Sequence, residues 1–164
     1  MLDLARVSID DAAELIAGNQ ASAGYHAPWV NPFIDRAGFD AWFGRILVGP
    51  NASLIAREEK TGSIIGVVNV TEIVAGVFQS GYLGYYGMIG FAGRGLMTEA
   101  VRLAVLYAFN ELGLHRLEAN IQPGNVRSIA LVQRLKFQRE GFSPRYLRID
   151  GAWRDHERWA VLAD

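Results

Sequence analysis

The 164-residue chain contains no cysteine, which removes disulfides, thiolate metal sites and a cysteine nucleophile from its chemistry. Its three histidines, His26, His115 and His156, are scattered without zinc-binding spacing, so no metal is expected. Charge of either sign is in short supply as an excess: 16 basic against 17 acidic residues leave a net −1. Such a balance gives no general attraction to nucleic acid or to a membrane surface, and a phosphate-bearing partner would have to be held by a local site. No apolar run reaches membrane length, and Asp3, Arg6, Asp10 and Asp11 stand where a signal peptide would be apolar. The expectation is a soluble, cytoplasmic protein. With 51% hydrophobic and 20% charged residues, the composition is that of one globular domain over residues 1–164, large enough to bury roughly two-thirds of its unfolded surface.

Glycine is abundant, and its most informative cluster is Gly90-Phe-Ala-Gly-Arg-Gly-Leu-Met-Thr, which leads into the longest helical pattern of the chain. Gly93 and Gly95 allow a tight turn and close backbone approach, and the first helical turn presents unpaired N–H groups at the positive end of its dipole. That combination holds an anion, and a diphosphate suits it. The spacing Gly90 to Gly95 matches a Walker A loop, but Leu96-Met97 occupy the Lys and Ser/Thr positions, which argues against a nucleoside triphosphatase. Thr98 stands where a dinucleotide fingerprint needs its third glycine.

In chain order, Leu2 to Val7 reads as a strand and Ser8 as an N-cap for a helix that runs to about Ala17 and stops at Gly18-Asn19. Tyr25 to Phe33, rich in aromatics and proline, has neither period: it suits a cleft-lining loop and equally an aromatic loop folded on its own core. A second helix spans Ala37 to Val48. Strands follow at Ala52–Arg57, Ser63–Ile73 and Gln79–Tyr86 as an antiparallel meander. The helix from Leu96 to about Leu112 is apolar on most sides, and Arg116–Ile121 completes a β-loop-α-β crossover with the glycine loop at its turn. A helix from Val126 to Leu135, a strand Phe137–Phe142, and a hairpin of Tyr146–Ile149 with His156–Leu162 around Asp150-Gly151 end the chain.

The glycine loop resembles the pyrophosphate loop of the GNAT N-acyltransferases, Arg/Gln-x-x-Gly-x-Gly/Ala before a helix, with Gly90 departing from the first position. A second stretch, Asn125-Val-Arg-Ser128 followed by Phe137-Gln-Arg-Glu-Gly141, is similar to the Rim-type branch of that family, which includes ribosomal-protein alanine N-acetyltransferases. Here Lys136 replaces a glycine. The resemblance covers about residues 80 to 162, and more loosely the chain from Leu2. It implies an α/β (α+β) fold: a single GNAT-type domain with a mixed, mostly antiparallel central sheet flanked by helices. It also implies acetyl-coenzyme A as acyl donor, with its pyrophosphate on the amides of Arg94 to Thr98 and further contacts from Met88, Ile89, Gly90, Gly93, Asn120, Asn125, Arg127 and Ser128. The acceptor would be a protein N-terminus, in the branch's manner that of a ribosomal protein. A small amine, polyamine or antibiotic is the alternative acceptor, and a coenzyme A-binding module without catalysis is the alternative function. A homodimer through the C-terminal hairpin or an exposed strand edge stays open.

Acyl transfer needs a neutral amine near the thioester carbonyl and a donor for the developing oxyanion. A protein α-amine, with a pKa near 7.7 to 8.0, asks little of a base, whereas an alkyl amine near 10.4 asks more. The resemblance suggests a backbone N–H around Met88 for the oxyanion and a carboxylate acting through water as base, for which Glu72, Glu118 and Glu140 are candidates. Each also reads as a solvated strand residue. Many family members use a tyrosine seven residues after the asparagine as the acid for the leaving thiolate; here that residue is Val132, so the resemblance shifts the role to Ser128. Asn125 also reads as a plain helix cap, and Arg94 and Arg127 as plain solvated cations. Trp29, Tyr85 and His156 are the candidates for contact with the acceptor, beside His26; Tyr85 and Tyr86 equally suit core or cross-strand packing.

Overall fold

Runs of β-branched and aromatic residues, cut by glycine and proline, give seven strands, and a computed structural model describing residues 1–164 joins them in one sheet. The strands are β1 (Leu2–Arg6), β2 (Ala52–Glu58), β3 (Ile64–Val74), β4 (Ser80–Gly87), β5 (Arg116–Ile121), β6 (Gln138–Ile149) and β7 (Ala152–Leu162), in the spatial order β1-β2-β3-β4-β5-β7-β6. All neighbours are antiparallel except β4 and β5. The helices are α1 (Ala12–Ala21), α2 (Ala23–His26), α3 (Arg36–Leu47), α4 (Leu96–Asn110) and α5 (Val126–Arg134).

Side chains alternate across a strand, so neighbouring apolar residues feed two separate cores. Leu54, Val68, Val70 and Leu83 pack with Ala100, Val101 and Ala104 of α4 and with Leu131 and Val132 of α5. Ile55 and Val67 instead meet Leu15 of α1, Phe39 of α3 and Met88. The sheet therefore carries α1 to α3 on one face and α4 with α5 on the other. Leu15, Phe39 and Val67 have no exposed surface, and burial of each such side chain is worth about 1.5–3 kcal/mol.

The elements follow the expected order, with informative differences. Ser8 caps as expected: its Oγ accepts from Asp10 N while Asp11 reaches back to the Ser8 N–H at 2.8 Å. The first helix, however, runs past Gly18-Asn19 to Ala21 and is followed at once by α2. Gly18 is there for space, since a Cβ would lie 3.0 Å from Met88 Sδ, and buried Asn19 donates to the Phe33 carbonyl at 2.9 Å. The two C-terminal strands expected around residues 137–149 are one strand, β6, irregular between Ser143 and Leu147. Asp150 (φ 49°) and Gly151 (φ 81°) close its hairpin, both in the left-handed region as a two-residue turn requires.

What positions the site is the parallel pair. β4 and β5 are in register only at Ser80–Arg116, Gly81–Leu117 and Tyr82–Glu118. Beyond these, β4 stays with β3 as far as Gly87–Gly66, and β5 stays with β7 as far as Ile121–Glu157. The two strands part, and a gap opens through the sheet.

Candidate active site

Hydrogen-bond phase decides what faces this gap. Met88 N donates to Ile65 O at 2.8 Å, and antiparallel bonding alternates along a strand, so Tyr86, Gly84 and Tyr82 turn their main-chain groups to β3. Tyr85 and Gly87 turn theirs the other way, into the gap. The Gly87 carbonyl confirms the phase by accepting from His26 Nε2 at 2.7 Å. Because a carbonyl only accepts, Nε2 carries the proton, and burial holds this imidazole below its usual pKa and therefore neutral at pH 7. The Met88 N–H, expected as oxyanion donor, is consumed by β3; the amides of Tyr85 and Gly87 are the ones directed at the gap.

Two adjoining cavities run from the gap to the glycine loop. The larger, about 920 Å³, is bordered by Met88, Gly93, Gly95, Leu96, Met97 and Thr98 on one side and by Arg127, Ala130 and Arg134 of α5 on the other. Gly93 (φ 74°) and Gly95 (φ 73°) take left-handed conformations there, and Gly95 caps α4, leaving the first amides of a 15-residue helix directed at the cavity. The second cavity, about 470 Å³, continues past Tyr25, Gly87, Asn125 and Ser128 to Trp29. No carboxylate borders either one. Arg127 sits 5.6 Å over the Tyr25 ring, and Arg134 donates to Thr98 Oγ1 at 3.1 Å.

Ser128 stands where this second cavity meets a third, of about 120 Å³, also bordered by Trp29, Tyr82, Tyr85, Asn120, Asn125 and His156. Asn125 caps α5 through a long contact, 3.4 Å, from Ser128 N. The Ser128 hydroxyl lies 2.6 Å from the Tyr85 phenol, whose pKa is pushed up to about 12 by burial and only partly restored by that contact, so the phenol stays protonated. Asn120 Oδ1 is buried without a partner, a polar atom available to a ligand. His156 is buried, with Nδ1 2.8 Å from the Arg154 carbonyl. Val132 is wholly buried in the core against α4 and does not reach the cleft.

Several expected residues stand outside these cavities. Glu118 and Glu140 both engage Arg116, Glu118 at 2.8 Å and Glu140 through both carboxylate oxygens, which holds Glu140 below its usual pKa. Glu72 is exposed at the irregular end of β3. Arg94 turns from the loop to pair with Glu58 at 2.8 Å and to lie over Phe91. Ile89 donates its N–H to Ser22 Oγ at 3.0 Å, and Gly90 faces open space. Tyr25, from the segment expected to suit a cleft-lining loop, does border the cavities, as does Arg134, which was not among the candidates. Arg134 was detectable, since it stands seven residues after Arg127 and so on the same face of α5.

An open-edged parallel pair with a glycine-capped helix at its turn and two arginines opposite defines a cleft suited to a phosphate-bearing ligand. Residues 2–138 match the acetyltransferase (GNAT) domain family, and the chain belongs to it. The [ribosomal protein uS5]-alanine N-acetyltransferase of Escherichia coli (strain K12) is 46% identical over 93 residues, 57% of this chain and 48% of that protein. The chain spans about half the length of the curated relatives it matches. Among solved structures, the ribosomal-protein-S5-alanine acetyltransferase of Vibrio fischeri superposes with a TM-score of 0.87 at 27% identity, covering 99% of this chain and 93% of that one. RimJ of Mycobacterium smegmatis, in complex with CoA-disulfide, gives 0.88 at 26% identity, covering 99% and 82%.

Proposed function

We propose that the protein moves an acetyl group from acetyl-coenzyme A to the α-amine at a protein N-terminus, in the manner of its ribosomal-protein-directed relatives. The observation that carries this reading is the gap between β4 and β5, where Ser128, Tyr85 and Gly87 border one 470 Å³ cavity that adjoins the glycine-loop cavity at Gly87 and the smaller one at Ser128 and Tyr85. The glycine loop and the first turn of α4 would take the pyrophosphate, with Arg127 and Arg134 flanking it. The amides of Tyr85 and Gly87 would bond the pantetheine chain and the thioester oxygen, and the same donors would steady the oxyanion. Asn125 and Asn120 offer further polar contacts along the cleft.

The acid step falls to Ser128. As the amine nitrogen bonds to the carbonyl carbon and the C–S bond breaks, the Ser128 hydroxyl gives its proton to the departing sulfur, and Tyr85 donates to Ser128 Oγ to hold that hydroxyl in place. A thiol of pKa about 8.5 leaves readily, so this step needs only modest help. No carboxylate borders any of the three cavities, which favours an acceptor of low charge over a polyamine. This setting accords with an enzyme of the cytoplasm, where new N-termini and the acyl donor meet; a homodimer through the exposed edge of β6 is compatible with it.

Thiol release from acetyl-coenzyme A tests the proposal, measured with free-N-terminal peptides, their N-blocked lysine-bearing counterparts, polyamines and aminoglycosides, each repeated with Ser128→Ala. Turnover confined to free N-termini and reduced by the substitution is expected. Turnover on polyamines or drugs alone would move the acceptor to small amines, and tight binding without any turnover would leave a coenzyme A-binding module.

A further inference from the structure

The base that prepares the amine is missing among the carboxylates: Glu118 and Glu140 are engaged with Arg116, and Glu72 is exposed away from the cavities. The cavity itself holds another candidate. His156 borders the 120 Å³ cavity together with Tyr85, Asn125 and Ser128, and only about 3% of its surface is exposed. Its Nδ1 faces the Arg154 carbonyl at 2.8 Å. A carbonyl cannot donate, so Nδ1 carries the proton, and the lone pair of the neutral ring is on Nε2. No protein group bonds that nitrogen.

The two faces of the sheet then divide the work. Trp159 packs in the core beneath α4 and α5, opposite Ala119; His156, three residues away, projects to the other face. Tyr85 lies two residues from Leu83 and shares the α4–α5 face, where it meets Ser128. Only the gap between β4 and β5 lets side chains from both faces border one cavity. An amine arriving from the His156 side and a thiolate leaving on the Ser128 side would approach and depart on opposite sides of the carbonyl. Other titratable and charged groups on the side of the sheet that His156 faces, or bordering its cavity, are Tyr146 from β6, Tyr82 and Tyr85 from β4, Arg154 and Arg158 on its own strand, with Arg158 held by Ser143, and Glu118 of β5, which is engaged by Arg116.

We infer that His156 is the general base of the reaction: its Nε2 takes a proton from the acceptor's ammonium group, directly or through one water, and frees the amine lone pair for attack. This inference rests on the acetyl-transfer reading. The balance closes as follows: one ammonium proton goes to Nε2 and then to solvent, the nitrogen forms the C–N bond, the C–S bond breaks, and a second nitrogen proton replaces the one Ser128 gives to sulfur.

The test compares wild type, His156→Gln and His156→Gly by kcat/KM against pH from 5.5 to 9.5, with acetyl-coenzyme A affinity measured by calorimetry. His156→Gln should lose about tenfold at pH 7, where only about a tenth of an α-amine of pKa near 8.0 is neutral, regain rate toward pH 9 as the amine deprotonates unaided, and keep its acetyl-coenzyme A affinity within twofold. Added imidazole should restore His156→Gly about threefold or more at pH 7. A His156→Gln enzyme within threefold of wild type with the same acid limb would overturn the assignment. So would a loss of rate accompanied by loss of acetyl-coenzyme A binding and untouched by imidazole, which would mark a structural histidine. A wild-type enzyme inert toward every amine would instead sink the acetyl-transfer reading beneath it.

Discussion

Tyr85→Phe isolates one hydrogen bond in the gap. The phenol is buried, its only partners are Ser128 Oγ at 2.6 Å and the Ser128 carbonyl at 3.4 Å, and phenylalanine fills the same ring volume. The substitution thus frees the Ser128 hydroxyl to rotate without opening a cavity. A buried hydroxyl pair is worth about 0.5–1.5 kcal/mol, rising to about 1–3 when the remaining partner goes unsatisfied. At 1.4 kcal/mol per tenfold, a loss of about 1–2 kcal/mol from the transition state lowers kcat about 5- to 30-fold. Thermal stability should drop by about 1 kcal/mol, or 2–4 °C in a domain of this size. KM for acetyl-coenzyme A should change less than twofold, because the pyrophosphate cavity lies beyond Tyr85. The assay is thiol release under saturating peptide, run as a double-mutant cycle with Ser128→Ala. If Tyr85 acts only through Ser128, adding Tyr85→Phe to Ser128→Ala costs nothing further. Multiplying losses in the double variant would refute the reasoning, as would a single variant with wild-type kcat.

Gly66→Ala places a Cβ 2.6 Å from the Tyr86 carbonyl and hard against Met97 Sδ, so β4 must shift beside the gap; a loss of about 1–3 kcal/mol in urea unfolding and a raised KM for acetyl-coenzyme A are expected. Arg134→Ala should raise that KM about tenfold with the effect fading in high salt, whereas Arg94→Ala, which removes only an exposed pair with Glu58, should change it less than twofold. Burial holds the His26 pKa below its ordinary 6.5, so the unfolded chain binds the extra proton first. His26 thus costs nothing above about pH 6.5 and lowers stability as the pH falls beneath it; urea midpoints from pH 7.5 to 5 should show a steeper acid decline in wild type than in His26→Gln.

Local chemistry made most of the fold legible in the sequence. The capping box at Ser8, the Asp150-Gly151 turn and the glycine-led α4 each carry their geometry in a few adjacent residues, and all three stand where their residues point. Gly18-Asn19 misled for the opposite reason: their presence is explained by Met88 and Phe33, which are distant in sequence. The cofactor cleft was legible to the extent that it is built from helix starts. Arg94 shows the limit, because its partner Glu58 lies 36 residues away at the end of β2. The tying of Glu118 and Glu140 to Arg116 depends on β5 and β6 flanking β7, a long-range arrangement that spacing does not encode. Lys136 completes the list of departures: it adopts φ 66°, the left-handed conformation that a glycine would take at less cost, at the C-terminus of α5.

Where β4 and β5 part, the ladder lacks a rung on each side, and the protein is in this sense an unfinished sheet, whose missing segment the acyl donor would supply under the proposed function. Occupancy of the cleft then becomes a structural variable. At 100 times its dissociation constant, a bound acyl donor adds about 2.7 kcal/mol to the unfolding free energy. The Tyr85 and Gly87 amides should pass from fast to slow deuterium exchange as the cleft fills. A cell rich in acyl donor would thus hold this protein in a more durable form than a starved one, and its lifetime against proteolysis would follow the metabolite pool.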